Sequence, residues 1–253
     1  MADRKLSFWR YFTLAYEDAI RVLRGMWPTV LMVVAAVLIL GFVGGQIGNF
    51  INTRLGQSVL DLLVAAGTAY LISPYLIVLY RAVATNDMAS NAEALRGTPE
   101  AQRFAAWSVL TAFIIAVPDL LFSIFGPDVP ADQLTEGNVN TGAMLVIFVL
   151  TIGIWIFSVR ATTLMPLLAL EPGRAGLPAA FAQSKGHFWF IVGVLLVTML
   201  PLLLGGVVVA GVIGGAFGPL APILMVPVGA AITGLTLVTA IAVSTRLYQR
   251  YAD

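Results

Sequence analysis

Long apolar runs alternate with short polar connections along this chain. Six runs have about the 20 residues that an α-helix needs to cross the hydrocarbon core of a bilayer. They are Pro28–Ile47, Leu62–Tyr80, Phe104–Phe125, Gly142–Thr162, Phe188–Gly211 and Leu220–Thr245. From Phe188 to Thr245 no Asp, Glu, Lys or Arg occurs, which fits two spans joined by a turn. The pattern predicts an all-α fold, a polytopic transmembrane bundle of six helices that occupies residues 28–253.

The segment before the first run has a different pattern. Between Leu6 and Met26, apolar side chains recur every three or four positions, and charged side chains fall on the other side. The apolar set is Phe8, Trp9, Phe12, Tyr16, Ala19, Ile20 and Leu23. Such a helix is typical of segments that lie in the headgroup region of a membrane. Residues 1–27 are therefore predicted to form an interfacial amphipathic helix. The alternative is a helix packed on a soluble domain, but no other segment could form that domain.

Composition supports a membrane protein and charge gives its orientation. Hydrophobic residues make up 59% of the 253 residues and charged residues only 11%, far from the composition of a soluble domain. Of the 14 Lys and Arg residues, only Arg54 falls in the connections after the first, third and fifth runs. Because cytoplasmic loops retain Lys and Arg, both termini are predicted to be cytoplasmic, in a bacterial inner membrane. The connection with Asp128, Asp132 and Glu136 is then external.

Two carboxylates fall inside the predicted membrane segments. Asp61 and Asp119 both belong to the outer third of the bilayer, where an ionisable group is costly and marks a candidate functional site. If Asp119 faced the bundle interior, proton or cation coupling would be conceivable, with Gln46 and Asn49 as neighbours. The alternatives are structural. Asp61 would then sit at a helix start, favoured by the helix dipole, and Asp119 would cap a helix that restarts after Pro118.

Few other residues suggest chemistry. His187 is the only histidine, and a polar residue at the membrane boundary is the better interpretation than a haem ligand or a base. The chain has no cysteine, no cluster with metal-ligand spacing and no nucleotide-binding fingerprint, so we expect no metal, no cofactor and no enzymatic activity. Scattered basic residues give no support for nucleic-acid binding. The stretch LLLGGVVVAGVIGGAFG at the end of the fifth run is glycine-rich, which favours close helix approach in lipid at Gly205, Gly206, Gly211, Gly214 and Gly215.

The connection between the fourth and fifth runs is the most specific part of the sequence. It reads RATTLMPLLALEPGRAGLPAAFAQSKGHFWF from Arg160 onward. It resembles a bacterial six-helix membrane family related to the membrane domain fused to some glycerophosphoryl diester phosphodiesterases. The matching positions are Arg160, Pro166, Glu171, Ser184, Gly186, Phe188, Trp189 and, more weakly, Tyr248. The resemblance implies a six-helix domain with a role in envelope or lipid homeostasis. It does not imply hydrolysis, because the catalytic barrel of those fusions has no counterpart here.

Arg160 is explained by its depth in the bilayer. It follows Gly142 by about 27 Å of helix, so its guanidinium reaches the inner headgroups. We expect the apolar segment Thr163–Leu170 to bend at Pro166, then to follow the inner surface or pack under the bundle, and to end at Glu171. The candidate functional or lipid and partner contacts are thus Asp119, Arg160, Glu171, Ser184, His187 and Trp189.

Three classes of function are open at this point. The leading hypothesis is a non-enzymatic scaffold, assembly or lipid-contacting subunit, which meets anionic headgroups and a protein partner at the cytoplasmic surface. The alternative is a small-solute or ion-coupled transporter, in which prolines would mark broken helices around a midplane site. Those prolines are Pro74, Pro118, Pro201 and Pro227. A lipid-modifying enzyme that uses Asp119 or His187 is the third class.

Overall fold

The computed structural model describes residues 8–88, 91–126, 141–173, 175–218 and 221–251. In these ranges the chain is almost entirely helical. The helices are α1 Phe8–Gly25, α2 Trp27–Gly48, α3 Arg54–Thr85, α4 Ala92–Leu95, α5 Pro99–Phe125, α6 Thr141–Arg160, α7 Leu164–Leu170, α8 Leu177–Gln183, α9 Phe188–Phe217 and α10 Ala221–Tyr251. The acidic connection with Asp128, Asp132 and Glu136 lies outside the described residues.

Six of these helices are long and apolar enough to cross a membrane, which confirms the predicted six-helix bundle. They are α2, α3, α5, the continuous segment Thr141–Leu170, α9 and α10. Several extend beyond the apolar runs because helix formation does not stop where polar residues begin. Helix α3 is the longest, with its first turn capped by Thr53, whose hydroxyl accepts from the Gly56 amide at 3.2 Å. Its 32 residues extend about 48 Å, more than the hydrocarbon core requires.

Helix α1 packs on the bundle through a different stripe from the predicted one. Its buried apolar residues are Tyr11, Ala15, Ala19 and Val22, and Met26 directly after the helix is buried on the same side. Most of the predicted stripe remains partly or fully accessible, and Trp9 and Ile20 are exposed. At 100° per residue the centres of the two stripes are about 80° apart, and the charged side chains other than the buried Asp18 occupy the remaining sector. The helix therefore has one face against the bundle, a second apolar face and a polar face. Its position in the headgroup region stays a prediction.

The hydrophobic core lies at one end of the bundle, which we call the basic end. It is formed by α1, α7, the C-terminal halves of α3 and α10, and the N-terminal parts of α2, α5 and α9. Its largest fully buried side chains include Phe104, Leu79, Leu164, Ile191 and Leu247. At the other end, here called the opposite end, large apolar side chains such as Phe50, Phe125 and Val207 are exposed. Tight tertiary packing is therefore concentrated at the basic end.

The segment after Arg160 packs inside the basic end. Helix α6 gives way to a 3-10 turn at Ala161–Thr163, and α7 follows from Leu164 to Leu170. The change falls one turn before Pro166, whose ring clashes with the carbonyl four residues earlier and which has no amide hydrogen to donate. Leu164, Leu168 and most other side chains of α7 are buried, so of the two predicted courses the packed one is observed. Helix α7 ends at Leu170, directly before Glu171, as expected.

Two predictions about the glycines of α9 are wrong, one about where the helix ends and one about how closely it packs. Helix α9 does not stop at Gly211 but continues to Phe217, because glycine is tolerated in a helix that lipid forces to satisfy its own backbone. The predicted close approaches are also absent at four glycines, since a Cβ atom on Gly205, Gly211, Gly214 or Gly215 would meet no described atom within 4 Å. Gly206 alone in this set lies near a neighbouring helix, at 3.5 Å from Ile232. A close approach between helices occurs instead at Gly44 of α2, where an added Cβ atom would lie 2.7 Å from Val64 of α3.

Candidate functional site

The end of α7 is held by side chains from three other helices. The last carbonyls of a helix have no partner within it, and cations favour that end of the helix dipole. Arg81 of α3 donates to the Ala169 carbonyl at 3.2 Å, and Arg103 of α5 donates to the Pro172 carbonyl at 2.5 Å. The Tyr248 hydroxyl of α10 donates to the Glu171 carboxylate at 2.7 Å. Glu171, a predicted site residue, is therefore a junction between α7 and α10.

A buried carboxylate joins α1 to α10. Asp18 is almost completely buried, and it accepts two hydrogen bonds from Arg246, at 2.6 and 3.0 Å. Arg21 of the same helix donates to it at 2.5 Å. A two-point Arg–carboxylate contact fixes orientation as well as contributing attraction, because both groups are planar. The contact fixes α1 on the bundle in one position.

Further polar bonds connect the remaining helices of the basic end. Arg81 also forms an ion pair with Glu100, which joins α3 to α5. Gln249 of α10 donates to a carbonyl of α3 at 3.2 Å. The Tyr16 hydroxyl of α1 donates to the Thr198 carbonyl of α9 at 2.9 Å, and burial raises the pKa of Tyr16 above its ordinary value. Side-chain bonds thus link six helices of the core, which are α1, α3, α5, α7, α9 and α10.

An aromatic cluster surrounds the Arg250 guanidinium near the start of α9. Its central carbon lies 4.3 Å from the ring centre of Phe190 and 5.3 Å from that of Tyr11. Such cation–π contacts contribute about 0.5–2 kcal/mol each. His187 is exposed and stacks on Tyr251 with ring centres 4.6 Å apart. This geometry fits the interpretation of His187 as a polar boundary residue, since its ring is occupied by packing.

The other predicted contacts at this end are separate from one another. Ser184 is buried at the end of α8 and donates to the Phe181 carbonyl at 3.2 Å, which is a structural role. Trp189 is exposed, with 78% of its surface accessible. Arg160 is exposed at the end of α6, and no carboxylate among the described residues pairs with it. Arg160 and Trp189 are therefore available to lipid or to a partner, whereas Ser184 is not.

The membrane carboxylates meet at the opposite end. Asp61 and Asp119 line one cavity of about 240 Å³ together with Arg54, and both carboxylates are exposed. Gln46 and Asn49, the neighbours suggested for Asp119, do not line it. Neither structural alternative holds either. Helix α3 begins seven residues before Asp61, and α5 runs without interruption through Pro118 and Asp119. Within the described chain, no group of three or more His, Cys, Asp or Glu residues could hold a metal ion.

Sequence reasoning missed the residues that join the helices of the basic end. Asp18 and Glu100 were not singled out, and Arg81 and Arg246 were counted only as basic residues that set the orientation. A signal existed for Asp18, because it falls on the i, i+3, i+4 stripe with Tyr11, whereas the other charges of α1 do not. No comparable local signal identifies the partners on α3, α5 and α10, which are distant in the sequence.

Comparisons with family models, with curated proteins and with solved structures each return no match to this chain. The resemblance to the membrane domain of glycerophosphoryl diester phosphodiesterases therefore rests on the sequence pattern alone. What the fold establishes is a multi-pass α-helical membrane protein.

Proposed function

We propose that this protein is a non-enzymatic, lipid-contacting scaffold of the bacterial inner membrane, with both termini in the cytoplasm. The observation that carries the proposal is the set of side-chain bonds that joins the helices of the basic end. Asp18 with Arg246, and Arg81 with Glu100, hold α1 to α10 and α3 to α5, which restrains the movement of these helices relative to one another. A body held in this way is suited to present a fixed surface.

That surface has the charge needed to meet an anionic membrane. Arg24, Arg160 and Lys185 are all exposed at the basic end. A basic residue near an anionic lipid surface contributes about 1 kcal/mol of attraction. The second apolar face of α1, with Trp9 and Ile20, would enter the same headgroup region. Lipid headgroups and a protein bound at this surface are the proposed partners, and nucleic acid is not.

Transport is the second candidate, and the cavity with Asp61 and Asp119 is the observation that favours it. Two features weigh against it. Pro74, Pro118 and Pro201 lie inside continuous helices, so they do not create the broken helices of a midplane site. The cavity also lies where α3 begins and α5 ends, not at mid-depth.

A lipid-modifying enzyme has less support. Asp119 lies about 30 Å along α5 from the basic end, where His187 begins α9. The two candidate groups for acid–base chemistry are thus at opposite ends of the bundle and cannot act on one reacting bond.

Distance measurements between spin labels test the scaffold against the transporter. The chain has no cysteine, so introduced cysteines carry the only labels. One pair, Asn86→Cys with Lys185→Cys, reports on the basic end, and a second pair, Phe50→Cys with Gly142→Cys, reports on the opposite end. All four positions are exposed.

The scaffold predicts one narrow distance distribution for the first pair in nanodiscs, unchanged between pH 5 and 8 and with or without sodium. Two distance populations for each pair, such that the basic end is wide when the opposite end is narrow and the reverse, would support transport and overturn the proposal. Native mass spectrometry of the same nanodiscs, with equal phosphatidylglycerol and phosphatidylcholine, tests lipid contact. We expect phosphatidylglycerol to be retained preferentially, and equal retention would refute lipid selectivity.

A further inference from the structure

A second cavity lies between α3 and α5 close to the basic end. Its volume is about 320 Å³, within the range of small-molecule sites. Its lining includes Tyr70, Leu71, Pro74, Arg96, Gln102 and Ala105. Tyr70 and Leu71 are exposed, with 61% and 54% of their surfaces accessible, so the cavity opens on the outer surface of two membrane-spanning helices. In a membrane this opening faces lipid.

The cavity is amphipathic in a definite direction. Arg96 belongs to the short connection that leads into α5, whereas Tyr70 lies on α3 about 16 Å farther from the basic end than Arg81. The polar groups, Arg96 and Gln102, are therefore at the headgroup side. The wall formed by Tyr70, Leu71 and Pro74 of α3 extends toward the hydrocarbon. This order of groups matches that of a phospholipid.

Arg96 brings a positive charge that the described protein does not neutralise. Its guanidinium donates to the Tyr75 hydroxyl and lies 5.6 Å from the centre of that ring. No carboxylate in the described ranges forms an ion pair with it, in contrast to Arg81, Arg21 and Arg246. The contact with Tyr75 orients the guanidinium but leaves other donors for a phosphate, which an arginine binds through two parallel hydrogen bonds.

We propose that this cavity binds one anionic phospholipid of the surrounding membrane. The phosphate contacts Arg96, and an acyl chain lies along Tyr70 and Leu71. The inference deepens the proposed lipid-contacting function and rests on it, but adds a defined site to a general surface. A phospholipid is favoured over a cytoplasmic peptide because the cavity opens on the lipid-facing side of α3. A whole phospholipid is favoured over free phosphate because most of the lining is apolar.

Two variants separate the headgroup from the acyl chain. Arg96→Gln removes the charge, and Leu71→Trp narrows the apolar part without changing the charge at an exposed position. The matched control is Arg10→Gln, which removes an exposed arginine of α1 that does not line the cavity. Each protein is titrated in detergent with dioleoyl phosphatidylglycerol, dioleoyl phosphatidylcholine or glycerol phosphate, and bound molecules are counted by native mass spectrometry. Thermal unfolding of each variant checks that it is folded.

We expect one tightly bound phosphatidylglycerol on the wild type. Its affinity should fall about tenfold or more in Arg96→Gln, because a charge-assisted hydrogen bond is lost. The affinity should also fall in Leu71→Trp and remain unchanged in Arg10→Gln. If glycerol phosphate bound as tightly as phosphatidylglycerol, and Leu71→Trp left the affinity for phosphatidylglycerol unchanged, the lipid assignment would be overturned in favour of a phosphate site.

The remaining outcomes separate this inference from the function on which it rests. If both cavity variants bind phosphatidylglycerol as the wild type does, the cavity is not the site, while general lipid contact still stands. If the wild type itself does not distinguish phosphatidylglycerol from phosphatidylcholine, the inference and the proposed lipid selectivity fail together.

Discussion

The contact between Asp18 and Arg246 gives the sharpest test of how α1 is held. Replacing Asp18 by Asn keeps the shape of the side chain and removes its charge. Two arginines would then point at a neutral amide, and the two-point contact at 2.6 and 3.0 Å would lose its ionic component. We expect α1 to separate from α10 more easily, while the spans themselves remain folded.

The burial of the three side chains sets the size of the effect. Breaking a buried ion pair by removing one partner costs about 3–5 kcal/mol. The Asp18 side chain is only 3% exposed, but those of Arg246 and Arg21 are 29% and 40% exposed, so water screens part of their loss. We therefore expect about 2–3 kcal/mol. Glu17→Gln is the matched control on the exposed face of the same helix, with an expected change within about 0.5 kcal/mol.

Hydrogen exchange of the α1 amides in nanodiscs measures the local opening directly. Asp18→Asn should accelerate exchange across the helix by about 30-fold or more, since each 1.4 kcal/mol is a factor of ten. In a double-mutant cycle, Asp18→Asn with Arg246→Gln should cost less than the two single changes added together. An α1 that exchanges at the wild-type rate in Asp18→Asn, or strictly additive effects in the cycle, would refute the reasoning.

Three further predictions concern packing, pH and topology. Gly44→Ala should lower the free energy of unfolding by about 1–3 kcal/mol, because its Cβ would press on a stiff valine of α3. Gly45→Ala, whose Cβ atom would meet nothing within 4 Å, should not lower the free energy of unfolding. Equal losses of stability for the two variants in a detergent unfolding assay would contradict the packing argument. Tyr16→Phe should cost about 1 kcal/mol by loss of its hydrogen bond to α9. Because burial raises the pKa of Tyr16, its contribution to the free energy of unfolding is fully present below pH 10 and is lost as the pH rises through the higher folded pKa. In alkaline unfolding titrations, the difference in stability between wild type and Tyr16→Phe should therefore become smaller. Finally, an impermeant thiol reagent added to intact cells should label Asn49→Cys but not Glu93→Cys, both exposed positions, and the reverse result would invert the proposed orientation.

Much of the bundle could be predicted because lipid imposes a strict local requirement. A backbone in hydrocarbon must satisfy its own hydrogen bonds, so a long uncharged run is a helix whatever its neighbours. The same rule explains why Pro118 and Gly211 failed as boundaries, since helix α5 and helix α9 continue through them. Residue preferences measured in water exaggerate the power of these residues to end a helix in a membrane.

The candidate site was less predictable because it is made of contacts between distant segments. Arg160 lies at the end of α6 and His187 directly before α9, while their depth in the bilayer, a property of one helix, stays a prediction. Glu171 was selected by pattern, but its partner Tyr248 comes from another helix, and no local rule pairs them. Asp61 and Asp119 were placed at one depth, yet only the antiparallel packing of α3 and α5 brings them to one cavity.

The sequence by itself determined that this is a six-span α-helical membrane protein, because hydrophobic length and the cost of burying charge act along a single segment. Tertiary structure alone decided which face of α1 meets the bundle, that α7 packs inside the basic end and that Arg96 stands beside an apolar cavity. These features depend on which helices are neighbours. In lipid the hydrophobic effect does not decide which helices associate, so their neighbours are chosen by close packing and by individual polar bonds.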